Sequence, residues 1–222
     1  MERDEILKIA ADDLQYLLNR GYNKKSAIKL VGDRYILNKN ERHILFRAVF
    51  SDIEIKNRNK KSVTQDQLKD RILAIDGFNI LITIENMLKN NLLIIASDGF
   101  FRDISNISKR YKITNDTDLV VNLVFTKLAT LAPKFIYFFF DKPISKSGEL
   151  AASINKKFSD FKLKGIAKAV NSPDHEILKT GEIIISADSL LLDKGNEIFD
   201  LAGSIIKEQS YQNIIAFYNE FQ

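Results

Sequence analysis

The stretch from Arg71 to Glu85, RILAIDGFNILITIE, determines the predicted fold. Its first apolar run, over 72–75, ends at Asp76, and Gly77 follows directly. A short apolar run closed by glycine is typical of a buried strand. An aspartate at the carboxyl end of a parallel strand lies where α/β sheets bind ligands, and a glycine there lets the backbone bend and a ligand approach. The stretch therefore predicts a core strand that ends in a functional acid.

From residue 72 onward, strand-like apolar runs alternate with helical segments. Further strands are predicted at 92–96, 135–140, 166–170 and 182–186, and helices near 80–90, 117–131, 147–161, 173–180, 195–202 and 204–221. This alternation indicates a parallel sheet covered by helices on both faces. The run FIYFFF at 135–140 has no polar alternation, as expected for a central strand buried on both sides. The predicted class is α/β.

The residues before this sheet predict a small, all-helical N-terminal domain. Three helices are expected, over 2–20, 24–31 and 38–50. Asn23 and Asn38 are the candidate N-caps. Three short helices form a small bundle, of which helix-turn-helix is one form. The polar run KNRNKK over 56–61 indicates a linker, so the predicted domains are 1–61 and 62–222.

Composition narrows the class of protein. The 222 residues are 45% hydrophobic and 28% charged, which is typical of a globular protein. The sequence has no cysteine, which excludes disulfides and thiolate chemistry and fits a cytoplasmic location. Neither a signal peptide nor a membrane span is expected. Residues 1–70 hold 15 basic and 11 acidic residues, which favours either a nucleic-acid partner or ordinary surface solvation. Homo-oligomerisation is left open.

An aspartate follows each predicted strand within a few residues: Asp76, Asp98, Asp141, Asp174 and Asp188. The carboxyl ends of parallel strands share one edge of a sheet, where several carboxylates repel each other unless a cation neutralises them. Carboxylate oxygens suit Mg²⁺ or Mn²⁺. The pattern predicts a metal site at which the cation activates water for phosphodiester hydrolysis. For any single aspartate, a helix cap or turn is an equal alternative.

Two acidic motifs, IDGFN at 75–79 and SADSLLLD at 186–193, resemble the first and last motifs of the PIN-like nuclease superfamily, especially its NYN-type members. The resemblance implies a Rossmann-like parallel sheet, clustered acids that bind Mg²⁺ or Mn²⁺, and RNA cleavage. Asp76 matches the first acid, Asn79 its polar companion and Asp188 the late acid, and Asp174 fits the acid before the last strand. Asp76 and Asp188 are therefore the expected catalytic residues.

The whole chain also resembles a prokaryotic, mainly archaeal family of unknown function with a helical N-terminal domain and a PIN-like C-terminal domain. The first half of the resemblance lies in 13–37 and 41–50, and the second in DGFNILITIE, SDGFFRD, FFFDKPISKSGELA and SADSLLLD. PIN-like nucleases often have a further acid in a mid-chain helix. Glu85 and Glu149 are the candidates for that acid here.

A last group of residues is predicted to contact substrate. Lys142, Ser145 and Ser147 lie at a predicted helix start, where backbone N–H groups and lysines can bind phosphate, the alternative being a turn with a serine cap. Arg102 can meet a phosphate or pair with an aspartate, and Asn79 completes the set. The predicted function is a metal-dependent nuclease acting on RNA. The alternatives are a non-catalytic RNA- or protein-binding module and a nucleotide phosphohydrolase.

Overall fold

The structure, a computed structural model, describes residues 3–104 and 116–218. The helices are α1 (Arg3–Asn19), α2 (Lys24–Arg34), α3 (Lys39–Ala48), α4 (Asp52–Lys61), α5 (Gly77–Leu88), α6 (Asp116–Leu131), α7 (Ser147–Asp160), α8 (Pro173–Thr180), α9 (Ser189–Lys194) and α10 (Leu201–Glu208). The strands are β1 (Ile72–Asp76), β2 (Leu93–Ile95), β3 (Phe101–Asp103), β4 (Phe135–Asp141), β5 (Gly165–Val170), β6 (Ile183–Ile185) and β7 (Ile214–Ala216), and a 3₁₀ helix spans Gln65–Leu68.

The chain divides into two compact units. The first contains the residues up to Lys60, the segment Leu92–Ile104 and the residues from Gln212 onward. The second contains Lys61–Asn91 and the chain from Ser105 to Tyr211. The sequence places the domain boundary after residue 61, whereas in the structure two short later segments belong with the N-terminal helices.

The three N-terminal helices form as predicted. The side chain of Asn23 accepts hydrogen bonds from the backbone N–H groups of Lys25 and Ser26, at 3.0 and 3.3 Å, so it caps α2. Asn38 forms a capping box with Glu41 at the start of α3. The buried faces of these helices share one apolar core with strand β2. Leu14 of α1, Ile44 of α3 and Ile94 of β2 all belong to this core.

The predicted linker over 56–61 is wrong, because these residues lie in α4. Arg58 is fully buried there and its Nη1 donates to Asp98 Oδ2 at 2.6 Å. Arg102 donates to both oxygens of the same carboxylate, at 2.7 and 2.6 Å. The run 56–61 resembles a linker in sequence because Arg58, its single buried residue, is charged, and because its partner Asp98 lies 40 positions later in the chain.

A three-stranded sheet, ordered β3-β2-β7, belongs to the first unit. β2 pairs in parallel with β7 and antiparallel with β3. The predicted helix over 204–221 is wrong from residue 209 to 218, because α10 ends at Glu208 and β7 follows, and its last residues, 219–221, lie outside the described part of the chain. The strand predicted at 92–96 exists, but in this sheet and not in the one that contains β1. Asp98 is therefore not at the edge shared by the other aspartates.

The second unit is built on a four-stranded sheet, ordered β5-β4-β1-β6, in which all pairs are parallel. One face of β4 is fully buried: the ring of Phe138 stacks on Phe125 of α6 with centroids 5.8 Å apart, and Phe140 meets Phe78 of α5 edge-on at 5.1 Å. On the other face Phe139 is buried but Phe135 and Tyr137 are only half-buried, so the prediction of a strand buried on both sides is confirmed in part. Helices flank the sheet, so the predicted α/β class with an N-terminal helical region is confirmed. No helix within the described ranges is long and apolar enough to cross a membrane.

The buried Asp98 yields a prediction about stability. Asp98→Asn should lower the free energy of unfolding by about 3–5 kcal/mol, because it leaves two buried guanidinium groups without their anion. Urea unfolding followed by circular dichroism measures the change. Asp12→Asn, at an exposed carboxylate of the same unit, is the matched control and should change stability by less than ~0.5 kcal/mol. Equal effects of the two substitutions would contradict the structural role of Asp98.

Candidate functional site

Four of the five predicted aspartates lie at the carboxyl ends of the four parallel strands. Asp76 is the last residue of β1 and Asp141 the last of β4. Asp174 is the second residue of α8, which follows β5, and Asp188 directly precedes α9, which follows β6. Because the strands are parallel, these ends form a single edge. We call Asp76, Asp141, Asp174 and Asp188 the acidic edge.

A hydrogen-bond network joins the two acidic motifs. Asp76 Oδ2 accepts a hydrogen bond from the Ser186 hydroxyl at 3.1 Å, and the same hydroxyl oxygen accepts from the backbone N–H of Asp188 at 3.0 Å. Asn79 Oδ1 accepts from the backbone N–H of Ala187 at 2.9 Å. The start of α5 and the segment after β6 are therefore joined by two hydrogen bonds between residues more than one hundred positions apart, and the third bond orders the segment after β6 itself.

The carboxylates of the acidic edge repel each other. The pKa of Asp76 is raised to about 7, chiefly by burial; the hydrogen bonds from Asn79 and Ser186 oppose this rise, and the charges of Asp188 and Asp174 add to it. Burial also raises the pKa of Asp174, and the charges of Asp188 and Asp141 add to the effect, whereas Lys194 opposes it. Each of the four aspartates therefore interacts electrostatically with at least one other.

The donors of the acidic edge fit a hydrated divalent cation. All are carboxylate oxygens, which Mg²⁺ and Mn²⁺ prefer. In the part of the chain that the structure describes, no three His, Cys, Asp or Glu side chains are close enough together to hold a metal ion. Mg²⁺ commonly keeps several waters and uses only one or two protein carboxylates. The chemistry of these donors is therefore that of a hydrated cation, and the described residues form no closed cage of three ligands.

Some of these aspartates also cap helices, as the alternative prediction allows. Asp76 Oδ1 accepts from the backbone N–H of Asn79 at 3.3 Å, at the start of α5. Asp188 Oδ1 accepts from the backbone N–H of Leu190 at 2.8 Å, and its side chain is exposed. A carboxylate oxygen has two lone pairs, so these bonds leave acceptor capacity for a ligand. Capping and cation binding are compatible at both residues.

Asp98 is not part of the acidic edge, and its predicted role as a metal ligand is wrong. Both of its oxygens accept bonds from arginines inside the first unit. Burial by itself raises the pKa of Asp98, but Arg102 and Arg58 outweigh burial and hold the pKa below its usual range. The predicted contact of Arg102 with phosphate is wrong for the same reason, because Arg102 is fully buried beside Asp98. The ion-pair alternative is confirmed.

The predicted substrate-binding residues have different surroundings. Asn79 Oδ1 is bonded to the backbone, so this atom positions the site. Ser147 is buried and its hydroxyl donates to the carbonyl of Lys142 at 3.2 Å, which closes the turn before α7. The serine-cap alternative is wrong, because Lys146 occupies the cap position and Ser147 is the first helical residue. Lys142 and Ser145 are exposed, and their contact with phosphate stays a prediction.

Gly77 is required by packing. A Cβ at this position would lie 2.2 Å from the ring of Phe140. The glycine thus lets α5 approach β4, whereas the sequence suggested that it makes room for a ligand. Of the two further candidate acids, Glu85 pairs with Lys89 one turn later, and Glu149 lies 3.9 Å from Lys146. Ser186, which contacts both Asp76 and the backbone of Asp188, was not among the predicted site residues, although it opens the SADSLLLD motif.

The fold and the acidic edge define an α/β protein with a four-stranded parallel sheet and a potential cation site at its carboxyl end. Residues 65–204 match the family described as "Domain of unknown function (DUF5616)", and residues 6–61 match "Protein of unknown function (DUF434)". The chain belongs to the DUF5616 family. It is 34% identical over 187 residues to the uncharacterized protein MJ0935 of Methanocaldococcus jannaschii. These matched residues make up 84% of this chain and 89% of that protein. No solved structure matches the chain.

The raised pKa of Asp76 predicts a pH dependence of stability. In the folded state Asp76 holds its proton up to pH about 7, whereas the unfolded chain releases it near 3.8, so the free energy of unfolding falls as pH rises between these values. Asp76→Asn removes this loss, which amounts to as much as ~4 kcal/mol. The variant should gain stability over the wild type at pH 8 in EDTA, and little at pH 4.

Urea unfolding at both pH values measures this difference. Asp160→Asn, at an exposed carboxylate at the end of α7, is the control for removal of one carboxylate. A stability difference between Asp76→Asn and the wild type that is the same at pH 4 and pH 8 would show that Asp76 does not titrate in this range.

Proposed function

We propose that this protein is a metal-dependent nuclease that acts on RNA in the cytoplasm. The observation that supports the proposal is the acidic edge: four aspartates at the ends of four parallel strands, with the pKa of two of them raised in part by their neighbours. Repelling carboxylates at a ligand-binding edge are stabilised when a cation binds among them. The motif resemblance to PIN-like nucleases agrees with the same residues.

Asp76 and Asp188 are the proposed catalytic residues and direct ligands for Mg²⁺ or Mn²⁺, and Asp141 and Asp174 would act on the cation through its bound waters. When bound, the cation would supply a Lewis acid for the phosphodiester and activate water for its hydrolysis. Ser186 and Asn79 keep the two acidic motifs in register, which fixes the carboxylates before the substrate arrives. Lys142 and Ser145, exposed beyond β4, are the proposed contacts to a neighbouring phosphate.

A second candidate is a non-catalytic module that binds RNA or a protein on the same fold. One observation favours it: within residues 3–104 and 116–218 no three potential metal ligands are near enough to hold an ion. In this case Asp76 and Asp188 would serve only as caps of α5 and α9. The two candidates differ in whether the acidic edge binds a cation and whether the protein cuts RNA.

Cation binding can be measured without any activity assay. Mn²⁺ at about one hundred times its dissociation constant should stabilise the wild type by about 2.7 kcal/mol, seen as a rise in melting temperature at pH 7.5. The double variant Asp76→Asn/Asp188→Asn should show no rise, whereas Asp160→Asn should respond like the wild type. An equal response of the double variant would place the Mn²⁺ elsewhere.

Cleavage of a fluorescent single-stranded RNA in Mn²⁺ tests the activity itself. Asp76→Asn and Asp188→Asn should each lower the rate by at least ~100-fold, because each removes a charge that would hold the cation. EDTA should stop cleavage, and Asp160→Asn should cut at the wild-type rate. A wild type that is inert on RNA and DNA refutes the nuclease, and RNA that is bound but uncut supports the non-catalytic module.

A further inference from the structure

The turn between α1 and α2 has a one-sided charge. Residues 14–32, which lie between Asp13 and Asp33, contain no acid and four cations: Arg20, Lys24, Lys25 and Lys29. The two acids that bound this segment are paired with cations outside it, since Arg34 lies 3.5 Å from Asp13 and Arg42 lies 2.9 Å from Asp33. The carboxylate of Asp52 accepts hydrogen bonds from Gln15 and Asn19 at the end of α1, so positive charge is in excess at this turn with one acid beside it.

Aromatic rings stand exposed beside these cations. The side chains of Tyr16, Tyr22 and Phe46 are 57%, 55% and 45% exposed. The guanidinium of Arg20 lies 4.5 Å from the ring centroid of Tyr16. The ammonium of Lys24 lies 5.2 Å from the centroid of Phe46. Cation–π contacts at these distances stabilise the pairs, so Tyr16 and Phe46 are each presented together with a positive charge. The Lys24 ammonium also lies 3.9 Å from the ring centroid of the buried Phe50.

The geometry of the turn keeps these groups together. Gly21 adopts a φ of +80°, a conformation that glycine tolerates without strain, and its N–H bonds to the carbonyl of Leu18 at 2.9 Å. The N–H of Tyr22 bonds to the carbonyl of Leu17 at 3.2 Å. Arg20 and Lys24 are thus separated by a short, hydrogen-bonded turn and by the cap at Asn23.

We propose that Tyr16, Arg20, Tyr22, Lys25 and Phe46 form a binding surface for single-stranded nucleic acid, which we call the aromatic–basic surface. Unpaired bases stack on the rings, and the phosphates between them contact the cations. A segment with four cations and no acid favours a polyanion over a neutral protein surface. This surface would bind the substrate of the proposed nuclease. That the substrate is RNA and not DNA rests on the proposed function.

Fluorescence anisotropy of a labelled uridine oligomer of about 20 nucleotides, with EDTA present to prevent cleavage, tests this surface. Tyr16→Ala/Tyr22→Ala should weaken binding by at least ~10-fold, because each lost stack costs about 1–3 kcal/mol. Tyr16→Phe/Tyr22→Phe keeps both rings and should bind like the wild type. Arg20→Gln/Lys25→Gln should reduce the slope of log K against log salt by about 2, one for each lost phosphate contact.

Lys8→Gln/Lys39→Gln removes two exposed lysines from other parts of the same unit and should leave binding and the slope nearly unchanged. Circular dichroism melts establish that every variant folds. The surface is wrong if the wild type does not bind, if the alanine variant binds like the wild type, or if duplex RNA binds as tightly as the single strand. A DNA oligomer that binds equally well supports stacking and argues against a choice of RNA by this surface.

The failure of this surface and the failure of the nuclease can be told apart. Hydrolysis of bis(p-nitrophenyl) phosphate by the wild type in Mn²⁺ depends on the acidic edge and not on a long strand. Oligomer binding without hydrolysis supports the surface and counts against the nuclease. Hydrolysis without oligomer binding refutes the surface and leaves the nuclease in place.

Discussion

The parallel pairing of β1 with β4 on one side and β6 on the other is the constraint on which the candidate site depends. In this register Asp76 lies opposite Phe139 of β4, and Ile75 lies opposite Ile185 of β6. Acids that are far apart in sequence are thereby brought to one edge, and the buried apolar strands behind them desolvate Asp76 and, to a smaller degree, Asp174. The sheet that gains its stability from apolar burial is therefore the same structure that concentrates negative charge at its end.

Hydrogen bonds position this charge but do not neutralise it. Ser186 donates to Asp76 and accepts from the backbone of Asp188, so a single hydroxyl connects the two acids proposed for catalysis. Even with the bond from Asn79, the pKa of Asp76 stays far above that of an ordinary aspartate. Fixed carboxylates that repel each other lower the stability of the fold at neutral pH. A bound cation would neutralise their charge and restore that lost stability, so the arrangement favours cation binding.

The comparison of Asp76 with Asp98 shows how much of the site could be predicted from sequence. Both residues follow an apolar strand and open the same tripeptide, Asp-Gly-Phe. Gly77 begins a helix, whereas Gly99 adopts a φ of +82° in a tight turn that leads into β3. The deciding partner of Asp98 is Arg58, 40 positions earlier in a run that looked like a linker. The long strands and helices were predictable because their periodicity is local, but this pair and the three-residue strand β7 depend on distant contacts.

The same distant contacts bear on what the two family matches mean. The first match ends at residue 61 and the second begins at 65, which suggests two separate domains. Yet Ile94, Ala96 and Ile215 lie in one apolar core with residues of α1, α2 and α3. A chain cut after residue 61 would lose these side chains together with Asp98, and would leave Arg58 without its carboxylate partner. The N-terminal helices thus obtain part of their core, and their buried anion, from segments that the sequence boundary assigns to the other half.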